Sequence, residues 1–436
     1  MRRKDTEADP QGGLRENLCR KGRNYFMRGR FSVLSATVIL VCMLTACGDD
    51  LSVTLPGTTP RPDAAYWTPE ETADVSPIQP IPLEDIIGEG ETKQEPSAES
   101  EPSAEPEPIP TLGPQEIRIT ISAAGDVTLG NYYDQSYWGS FRETYDKEQD
   151  PSYFFENVYD IFSADDMTIV NLEGPLTLSE ERREEKTYCF SGDPEYVNIL
   201  TAGSVEAVGM GNNHRQDYLQ KGTEDTVKAL DEVGITYAYD RYTGKYETTQ
   251  GILIGYVSVS GVGRGANVEK YLKEGIEALQ EEGCDLIIAS CHWGVERVYY
   301  PDDYQMTLGR KCIDWGADLV IGHHPHVFQG IEEYEGKYIV YSLGNFCFGG
   351  NRNPEDKDCL IVQQTFTFID GEKQEETQLK VIPCSVSSVT NRNDYKPTPA
   401  EGEEAERILG RLNEYSFGLG LQFDEDGFPI TESTQD

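Results

Sequence analysis

The chain has 436 residues, with 37 basic and 77 acidic side chains and a formal net charge of −40 at pH 7. This charge argues against a protein that binds nucleic acid, because contact with the phosphate backbone needs a basic face. Of the 24 prolines, 13 lie between residues 48 and 116. That stretch is not a folded domain, so the length of the chain does not translate into three domains.

The N-terminus has the features of an export signal. Residues 1–30 carry nine Lys or Arg and four Asp or Glu, and an uncharged apolar run of 16 residues follows from Phe31 to Ala46. This run is shorter than the roughly 20 residues of a spanning helix. Its last residues together with Cys47 resemble the bacterial lipobox, in which the cysteine is acylated. We therefore expect residues 1–47 to be a signal peptide with a lipobox, and a short uncleaved membrane anchor is the alternative.

Either reading of the N-terminus places the mature protein at the extracellular face of the cytoplasmic membrane. With the lipobox, Cys47 would be the site of lipidation and the membrane contact would be the N-terminal lipid. Residues 48–116 contain 16 Asp or Glu against Arg61 and Lys93. Such a segment buries too little apolar surface to offset its ordering entropy, and like charges keep it extended. We expect a disordered, acidic, Pro-rich tether here.

Ten cysteines in an exported protein raise the question of disulfides. Three of them, Cys19, Cys42 and Cys47, lie in the signal region, which leaves the odd number of seven downstream. We expect most of the seven to be buried small hydrophobic residues, with one or two disulfides as the alternative.

From residue 117 onward, short apolar β-branched runs alternate with amphipathic segments. Strands are predicted over residues 117–121, 167–172, 205–210, 235–239, 252–259, 285–290 and 319–321. Helices are predicted over residues 153–164, 194–202, 219–233, 268–280 and 304–315. After residue 321 only strands are predicted, over residues 327–334, 338–341, 360–368 and 378–382. This order predicts a layered α/β domain over residues 117–390, with a mixed sheet or two stacked sheets, and a charged C-terminal tail over residues 391–436.

Polar residues cluster where five of the predicted strands end. The segments are Gly-Asp at 125–126, Asn-Leu-Glu at 171–173, Asn-Asn-His at 212–214, His-Trp at 292–293 and His-His-Pro-His at 323–326. All five histidines of the chain lie in three of these segments. Each segment alone is ordinary turn, cap or core chemistry. Because ligands of α/β sheets bind at the carboxyl ends of strands, the five together predict one crevice.

Imidazoles and carboxylates converging on a crevice are typical of a Zn, Mn or Fe site. Two such metals roughly 3.5 to 4 Å apart can activate a hydroxide and stabilise a developing phosphoryl oxyanion. The residues therefore predict a metallohydrolase site.

Six ordered motifs resemble the capsule-synthesis protein CapA family, which is associated with poly-γ-glutamate. The motifs are Gly125-Asp126-Val127, Asn171-Leu172-Glu173, Asn212-Asn213-His214 with Asp217, His292-Trp293-Gly294 with Glu296, Gly322-His323-His324-Pro325-His326-Val327, and Tyr341-Ser342-Leu343-Gly344-Asn345-Phe346. That family belongs to the calcineurin-like metallophosphoesterase superfamily. The resemblance implies an αββα sandwich of two mixed β-sheets flanked by helices, preceded here by the disordered linker.

The resemblance also implies two divalent metal ions, Mn, Zn or Fe, and a role for each motif residue. The implied ligands are Asp126 and His326 for the first metal, Asn213, His292 and His324 for the second, and Glu173 bridging both. His214 would be the general acid that protonates the leaving oxygen. Two positions depart from the superfamily pattern. The usual first motif is Asp-x-His, and Thr128 stands at the position of its histidine. Glu173 stands where the bridging residue is usually Asp.

Other residues near the motifs are expected to support these ligands. Asp217, Glu296, His323 and Asn345 are expected to orient ligands through hydrogen bonds rather than to bind metal. For Asp217 and Glu296, a solvated charge or a helix cap is the alternative. Arg215 and Arg297 follow or adjoin motif residues and are expected to hold an anionic substrate through bidentate contacts.

Two functions remain open at this point. The first is an extracellular metal-dependent hydrolase that acts on a phosphoester or on a linkage of a capsule polymer, in its synthesis, export or anchoring. The second is a non-hydrolytic assembly or export component that retains the fold, which the missing histidine of the first motif favours. Expected partners are an anionic capsule polymer or phosphoester substrate and membrane-embedded capsule synthesis proteins. A substrate-binding surface lipoprotein is a third and simpler reading.

Overall fold

The computed structural model describes residues 114–430. The predicted signal peptide, Cys47 and the predicted tether up to residue 113 lie outside the described residues. The α-helices, in chain order, are α1 (Phe141–Glu148), α2 (Tyr159–Phe162), α3 (Val197–Ala202), α4 (Leu219–Val233), α5 (Val268–Glu281), α6 (Asp303–Trp315) and α7 (Gly402–Ser416). Short 3-10 helices cover Pro151–Phe155, Pro194–Tyr196 and Phe417–Leu419. Within residues 114–430, none of the helices has both the length and the apolar content to cross a membrane.

The strands make up the larger part of the regular structure. In chain order they are β1 (Glu116–Thr128), β2 (Asn131–Tyr132), β3 (Met167–Leu172), β4 (Phe190–Ser191), β5 (Ala207–Gly209), β6 (Thr236–Ala238), β7 (Gly244–Glu247), β8 (Leu253–Ser260), β9 (Leu286–His292), β10 (Leu319–His323), β11 (Ile331–Tyr334), β12 (Lys337–Val340), β13 (Asn345–Phe348), β14 (Asp358–Ile369), β15 (Glu372–Lys373), β16 (Gln378–Ser385) and β17 (Thr398–Pro399).

These strands form two large mixed sheets and a separate β2-β4 pair. The first sheet has nine strands in the order β17-β16-β14-β1-β3-β5-β6, with β13 beside β1 and β15 beside β14. The second sheet has six strands in the order β11-β12-β10-β9-β8-β7. Strands β1, β3, β5 and β6 are parallel, as are β8, β9, β10 and β12. The antiparallel strands β14 and β16 extend the first sheet, and β7 and β11 form the edges of the second.

Alternation along β3 shows how the layers stack. Met167 and Ile169 belong to a buried cluster that also contains Ile288 of β9, so this core lies between the two sheets. Val170 points the other way, into a cluster with Leu230 of α4. A third cluster joins α5 and α6 to the outer face of the second sheet. The order helix, sheet, sheet, helix confirms the predicted αββα fold class.

Several predicted elements agree closely with the structure and two do not. Strand β3 and helix α4 cover the predicted ranges. The predicted helix over residues 153–164 is instead the 3-10 helix Pro151–Phe155 followed by the short α2. The predicted strand over residues 327–334 begins only at Ile331.

The expectation that only strands follow residue 321 is wrong, because α7 is a helix of 15 residues. It buries Ile408, Leu409 and Leu412 in the core between the sheets. Arg407 forms a bidentate ion pair with Asp358 at the start of β14, at 2.6 and 2.7 Å. The charged face of α7 dominates its composition and hides the helical spacing of the buried residues.

The cysteines agree with the preferred interpretation. Seven lie in the described residues, and all seven are free thiols. Six of them are buried, and Cys284 is partly exposed.

Candidate metal centre

The predicted site residues converge where parallel strands of both sheets end. Asp126 lies near the end of β1, Glu173 follows β3, Asn213 and His214 follow β5, His292 ends β9, His323 ends β10, and His324 and His326 lie in the turn after β10. His292 and His323 are register partners on neighbouring strands. The carboxyl ends of both parallel groups therefore face one crevice, as expected for an α/β sheet.

The Gly-Asp pair of the first motif depends on a close backbone approach. A Cβ at Gly125 would lie 2.0 Å from the carbonyl oxygen of Gly344, so a side chain does not fit at this position. The next residue, Asp126, donates its backbone N–H to the same oxygen at 2.9 Å. The register of β1 is irregular at this point and places Asp126 opposite Asn171 of β3 and Asn345 of β13.

Glu173 is the centre of the cluster. Its side chain is fully buried, and neither carboxylate oxygen has a hydrogen-bond partner among residues 114–430. Ring nitrogens of His292 and His326 lie 3.5 and 3.9 Å from Oε1. Burial raises the pKa of Glu173 to about 8. A buried carboxylate without donors is costly, so the arrangement fits a cation in contact with Glu173.

Two ligand groups share Glu173. Ligand atoms of Asp126, Glu173 and His326 lie within 4.8 Å of one another, and so do those of Glu173, His292 and His324. Nδ1 of His324 is buried and has no hydrogen-bond partner in the described part of the chain. Imidazoles and carboxylates are suitable ligands for Zn, Mn or Fe. The residues present therefore fit the metal that the family resemblance implies.

Asp126 is held by three side chains. Its Oδ1 accepts a hydrogen bond from Nδ2 of Asn171 at 2.8 Å. Nδ1 of His323 lies 3.4 Å from Oδ1, and Nδ1 of His326 lies 3.1 Å from Oδ2. Burial alone would raise the pKa of Asp126, but the two histidines outweigh it and hold the pKa well below its usual value. Asp126 is therefore ionised, as a metal ligand must be.

The three histidines that are candidate metal ligands differ in charge. Burial lowers the pKa of His292 well below its usual value, and burial together with His326 lowers the pKa of His324 to about 4. Both imidazoles are thus neutral at pH 7, which is the state that binds metal. For His326, burial lowers the pKa, but Glu173 and Asp126 outweigh it and raise the pKa to about 10. Without metal, His326 is therefore positively charged beside the ionised Asp126.

Amide side chains surround His292. Oδ1 of Asn213 lies 2.8 Å from Nε2 of His292, within hydrogen-bond distance. Nδ2 of Asn171 lies 3.2 Å from Nδ1 of the same ring. Asn212 in turn donates to Oδ1 of Asn171 at 3.1 Å. Sequence reasoning placed Asn171 in a motif but gave it no role, and the structure shows that it links Asp126 to His292.

His214 lies at the rim of the centre and is fixed by Asp217. Oδ2 of Asp217 lies 2.6 Å from Nδ1 of His214, and Nε2 lies 3.8 Å from Oε1 of Glu173. Burial lowers the pKa of His214, and the hydrogen bond with Asp217 only partly offsets this. The ring of Phe190 packs on the imidazole with 4.4 Å between centroids.

Lys186 completes this arrangement, and sequence reasoning missed it. Its Nζ donates to Oδ1 of Asp217 at 2.7 Å and to the carbonyl oxygen of Asn213 at 2.8 Å. It also lies 3.0 Å from Nδ1 of His214. Lys186 belongs to a loop without a motif or a periodic pattern, so no signal in the sequence pointed to it.

The four remaining predicted residues lie in three different positions. Asn345 contacts His326 through both ends of its amide, with Oδ1 at 3.0 Å from Nδ1 and Nδ2 donating to the backbone oxygen at 3.2 Å. Glu296 and Arg297 are exposed and line the cleft beside the centre. Arg215 is instead paired with Asp240 at 2.5 Å and is not among the residues that line the cleft.

The cleft has a volume of about 1210 Å³. It is lined by His214, His326 and Asn345 of the centre and by Arg407 and Arg411 of α7. Aromatic side chains form one wall near the centre, namely Tyr132, Tyr188, Phe190 and Phe348. A cleft of this size is large enough to hold a small-molecule ligand.

The sequence profile of the family described as bacterial capsule synthesis protein PGA_cap matches residues 120–350, just over half of the chain. The chain belongs to this family. The matched range contains every metal-ligand candidate described above, and it confirms the resemblance drawn from the six motifs.

Relatives of this PGA_cap chain include two Bacillus proteins. It is similar to the PGA biosynthesis protein CapA of Bacillus subtilis (strain 168), with 32% identity over 266 residues that cover 56% of this chain and 67% of that protein. It is also similar to the capsule biosynthesis protein CapA of Bacillus anthracis, with 27% identity over 274 residues, 56% of this chain and 63% of that protein. The chain thus spans about two thirds of the length of these relatives. A crystal structure of a hypothetical protein from Thermus thermophilus aligns with a TM-score of 0.37 and 15% identity, over 61% of this chain and 99% of that one.

Proposed function

We propose that this PGA_cap protein is a metal-dependent, phosphoesterase-like hydrolase that acts in the synthesis, export or anchoring of poly-γ-glutamate or another capsule polymer. One observation carries the hydrolase part: the carboxylate of Glu173 is fully buried, has no donor among the described residues, and faces histidine nitrogens on several sides. The capsule part is supported by the names of the two Bacillus relatives.

The centre would hold two divalent ions, with Mn, Zn or Fe as the candidates. Asp126 and His326 would bind the first, Asn213, His292 and His324 the second, and Glu173 both. When bound, such ions supply Lewis acidity and lower the pKa of a water molecule. Asn171 and Asn345 keep the ligands in place through the hydrogen bonds described above.

His214 would move the proton that the leaving oxygen needs. Asp217 holds the proton of Nδ1, which leaves Nε2 directed towards the centre. An anionic substrate next to Nε2 raises the pKa of the imidazole, and a protonated Nε2 can then donate to the leaving oxygen. Before this transfer Asp217 stabilises the imidazolium through its hydrogen bond with Nδ1, and Lys186 holds the Asp217 carboxylate in place; the transfer leaves a neutral imidazole.

The substrate would be an anion that enters through the cleft. Arg297 lies beside the centre and is free to contact such a substrate, whereas Arg215 is paired with Asp240. We also propose that the domain is held at the outer face of the cytoplasmic membrane by a lipid on Cys47, where membrane-embedded capsule synthesis proteins would be its partners.

A non-hydrolytic assembly or export component is the second candidate, and Thr128 favours it. The hydroxyl of Thr128 donates to the backbone oxygen of Glu173 at 2.8 Å, so this position supplies a structural hydrogen bond where the superfamily supplies an imidazole. With one ligand fewer, the first metal would bind more weakly.

Hydrolysis assays on the metal-loaded full chain distinguish the two. We expect turnover with at least one member of a panel of phosphomonoesters and phosphodiesters, and loss of that turnover after metal chelation. Two results together would establish the assembly function instead. The purified chain would bind metal but hydrolyse no member of the panel, and a host that carries only the His214→Asn variant would still produce a normal amount of polymer.

A further inference from the structure

Glu296 is an exposed carboxylate at the cleft side of the centre. It lies four residues after His292, in the loop that follows β9, and it lines the cleft. Sequence reasoning gave it the task of orienting a ligand. Its position in the structure calls for a different assignment.

Backbone hydrogen bonds fix this loop against the turn that carries the histidines. The N–H of Arg297 donates to the carbonyl oxygen of Pro325 at 2.8 Å, and the N–H of Trp293 donates to that of His323 at 2.9 Å. These two bonds flank Glu296 in the sequence. The backbone at Glu296 is therefore held next to the His324-Pro325-His326 turn.

The carboxylate of Glu296 faces two histidines that belong to different ligand groups. A carboxylate oxygen of Glu296 and one ring nitrogen each of His324 and His326 lie within 4.8 Å of one another. His326 is also grouped with Asp126, whereas His324 is also grouped with His292. Glu296 therefore lies near one candidate ligand of each group on the exposed side of the centre, whereas Glu173 lies on the buried side.

An independent observation points to a ligand here. His324 is 5% exposed, and its Nδ1 has no hydrogen-bond partner within residues 114–430. If Glu296 served to orient this ring, a hydrogen bond between the carboxylate and the ring would be expected. The three groups are instead spaced as ligands around a shared cation.

We propose that Glu296 is itself a metal ligand, closing the centre on the side of the cleft. This inference rests on the metal centre of the proposed function. It gives the centre a carboxylate in place of the imidazole that Thr128 does not supply. Because Glu296 is exposed, its carboxylate is also the ligand that an incoming anion can displace most easily.

Titration of the full chain with Mn²⁺ after removal of metal by a chelator tests this assignment by calorimetry. We expect Glu296→Gln to weaken Mn²⁺ binding at least about tenfold, with Glu296→Asp binding more tightly than Glu296→Gln because it keeps a carboxylate. The matched control is Glu355→Gln, which removes one exposed negative charge from the same cleft and should leave Mn²⁺ affinity unchanged. Circular dichroism of the metal-free proteins checks that all variants fold.

Two results would overturn the assignment. If Glu296→Gln bound Mn²⁺ with wild-type affinity, Glu296 would not be a ligand. If Glu296→Gln and Glu355→Gln weakened Mn²⁺ binding equally, the effect of Glu296 would come only from the loss of one negative charge in the cleft. His292→Ala separates this failure from that of the proposed function. If His292→Ala loses Mn²⁺ while Glu296→Gln keeps it, only the assignment of Glu296 fails; if His292→Ala also binds like the wild type, the metal centre and this inference fail together.

Discussion

Nδ1 of His214 donates a hydrogen bond to Oδ2 of Asp217 across 2.6 Å. An ionised carboxylate only accepts hydrogen bonds, so this contact fixes the proton on Nδ1 and leaves Nε2 free. Nε2 is the atom that faces Glu173, at 3.8 Å from Oε1. The pair thus directs one nitrogen of His214 at the centre and uses the other as an anchor.

The first prediction concerns His214. Because positioned proton transfer typically contributes 10² to 10⁴ in rate, His214→Asn should lower kcat by about that factor. Metal content, measured by elemental analysis of the purified protein, should stay close to that of the wild type, since His214 is not among the proposed ligands. A variant that loses its metal along with its activity would contradict the assigned role.

Lys186 should affect turnover through Asp217. Lys186→Met keeps the aliphatic stem but removes the ammonium group from Asp217, which weakens the hold on His214. We expect kcat to fall about tenfold or more with KM nearly unchanged, since the lost interaction acts on the transition state. Lys221→Met, on the exposed side of α4, is the control and should behave like the wild type. A rise in KM alone would instead identify Lys186 as a substrate contact.

His292 should control metal-dependent stability. A metal that binds only the folded state stabilises it by about 2.7 kcal/mol when present at 100 times its Kd. Added Mn²⁺ should therefore raise the thermal unfolding midpoint of the wild type by more than that of His292→Ala, which keeps only the ligand group of Asp126, Glu173 and His326. The comparison is made in the same buffer with and without a chelator. Equal midpoint increases in both proteins would place the metal elsewhere.

Asp165 should make stability depend on pH, far from the metal centre. Burial raises the pKa of Asp165 from 3.8 to about 7. The folded state then binds this proton more tightly than the unfolded chain, so the carboxyl's contribution to stability is complete below pH 3.8 and is lost as the pH rises through about 7. Asp165→Asn cannot ionise, so its stability relative to the wild type should be greater at pH 8 than at pH 5, by on the order of 2–3 kcal/mol.

Thermal or urea unfolding at the two pH values measures this difference. The control is Asp160→Asn, which replaces an exposed aspartate of α2. It should change the stability equally at both pH values. If Asp165→Asn also changed the stability equally at pH 5 and pH 8, the carboxyl of Asp165 would not be held protonated in the folded state.

Delivery to the membrane should depend on Cys47. Cys47→Ser removes the thiol that would carry the lipid, so the variant should be released from the membrane fraction or accumulate as an unprocessed precursor. Cell fractionation and the electrophoretic mobility of the protein report both effects. Normal processing with unchanged membrane retention would argue for an uncleaved anchor.

Local sequence patterns were sufficient for much of the fold. The helix α4 and the strand β3 have the predicted bounds, because the spacing of apolar residues along a short stretch of sequence distinguishes a helix from a strand. The layered arrangement followed from the order of these elements. Helix α7 was missed because its charged face conceals Ile408, Leu409 and Leu412, which are buried only through contact with the sheets.

The sequence by itself determined which residue types stand at the strand ends, and therefore that candidate metal ligands share one crevice. Only the tertiary structure decided which of these residues meet. His324 and His326 are two residues apart, yet the first is grouped with His292 and the second with Asp126. Their backbones have φ values of 97° and 57°, in the left-handed region that non-glycine residues rarely adopt. Such a turn is held by contacts with loops from both sheets, and those contacts exist only once the sheets have packed.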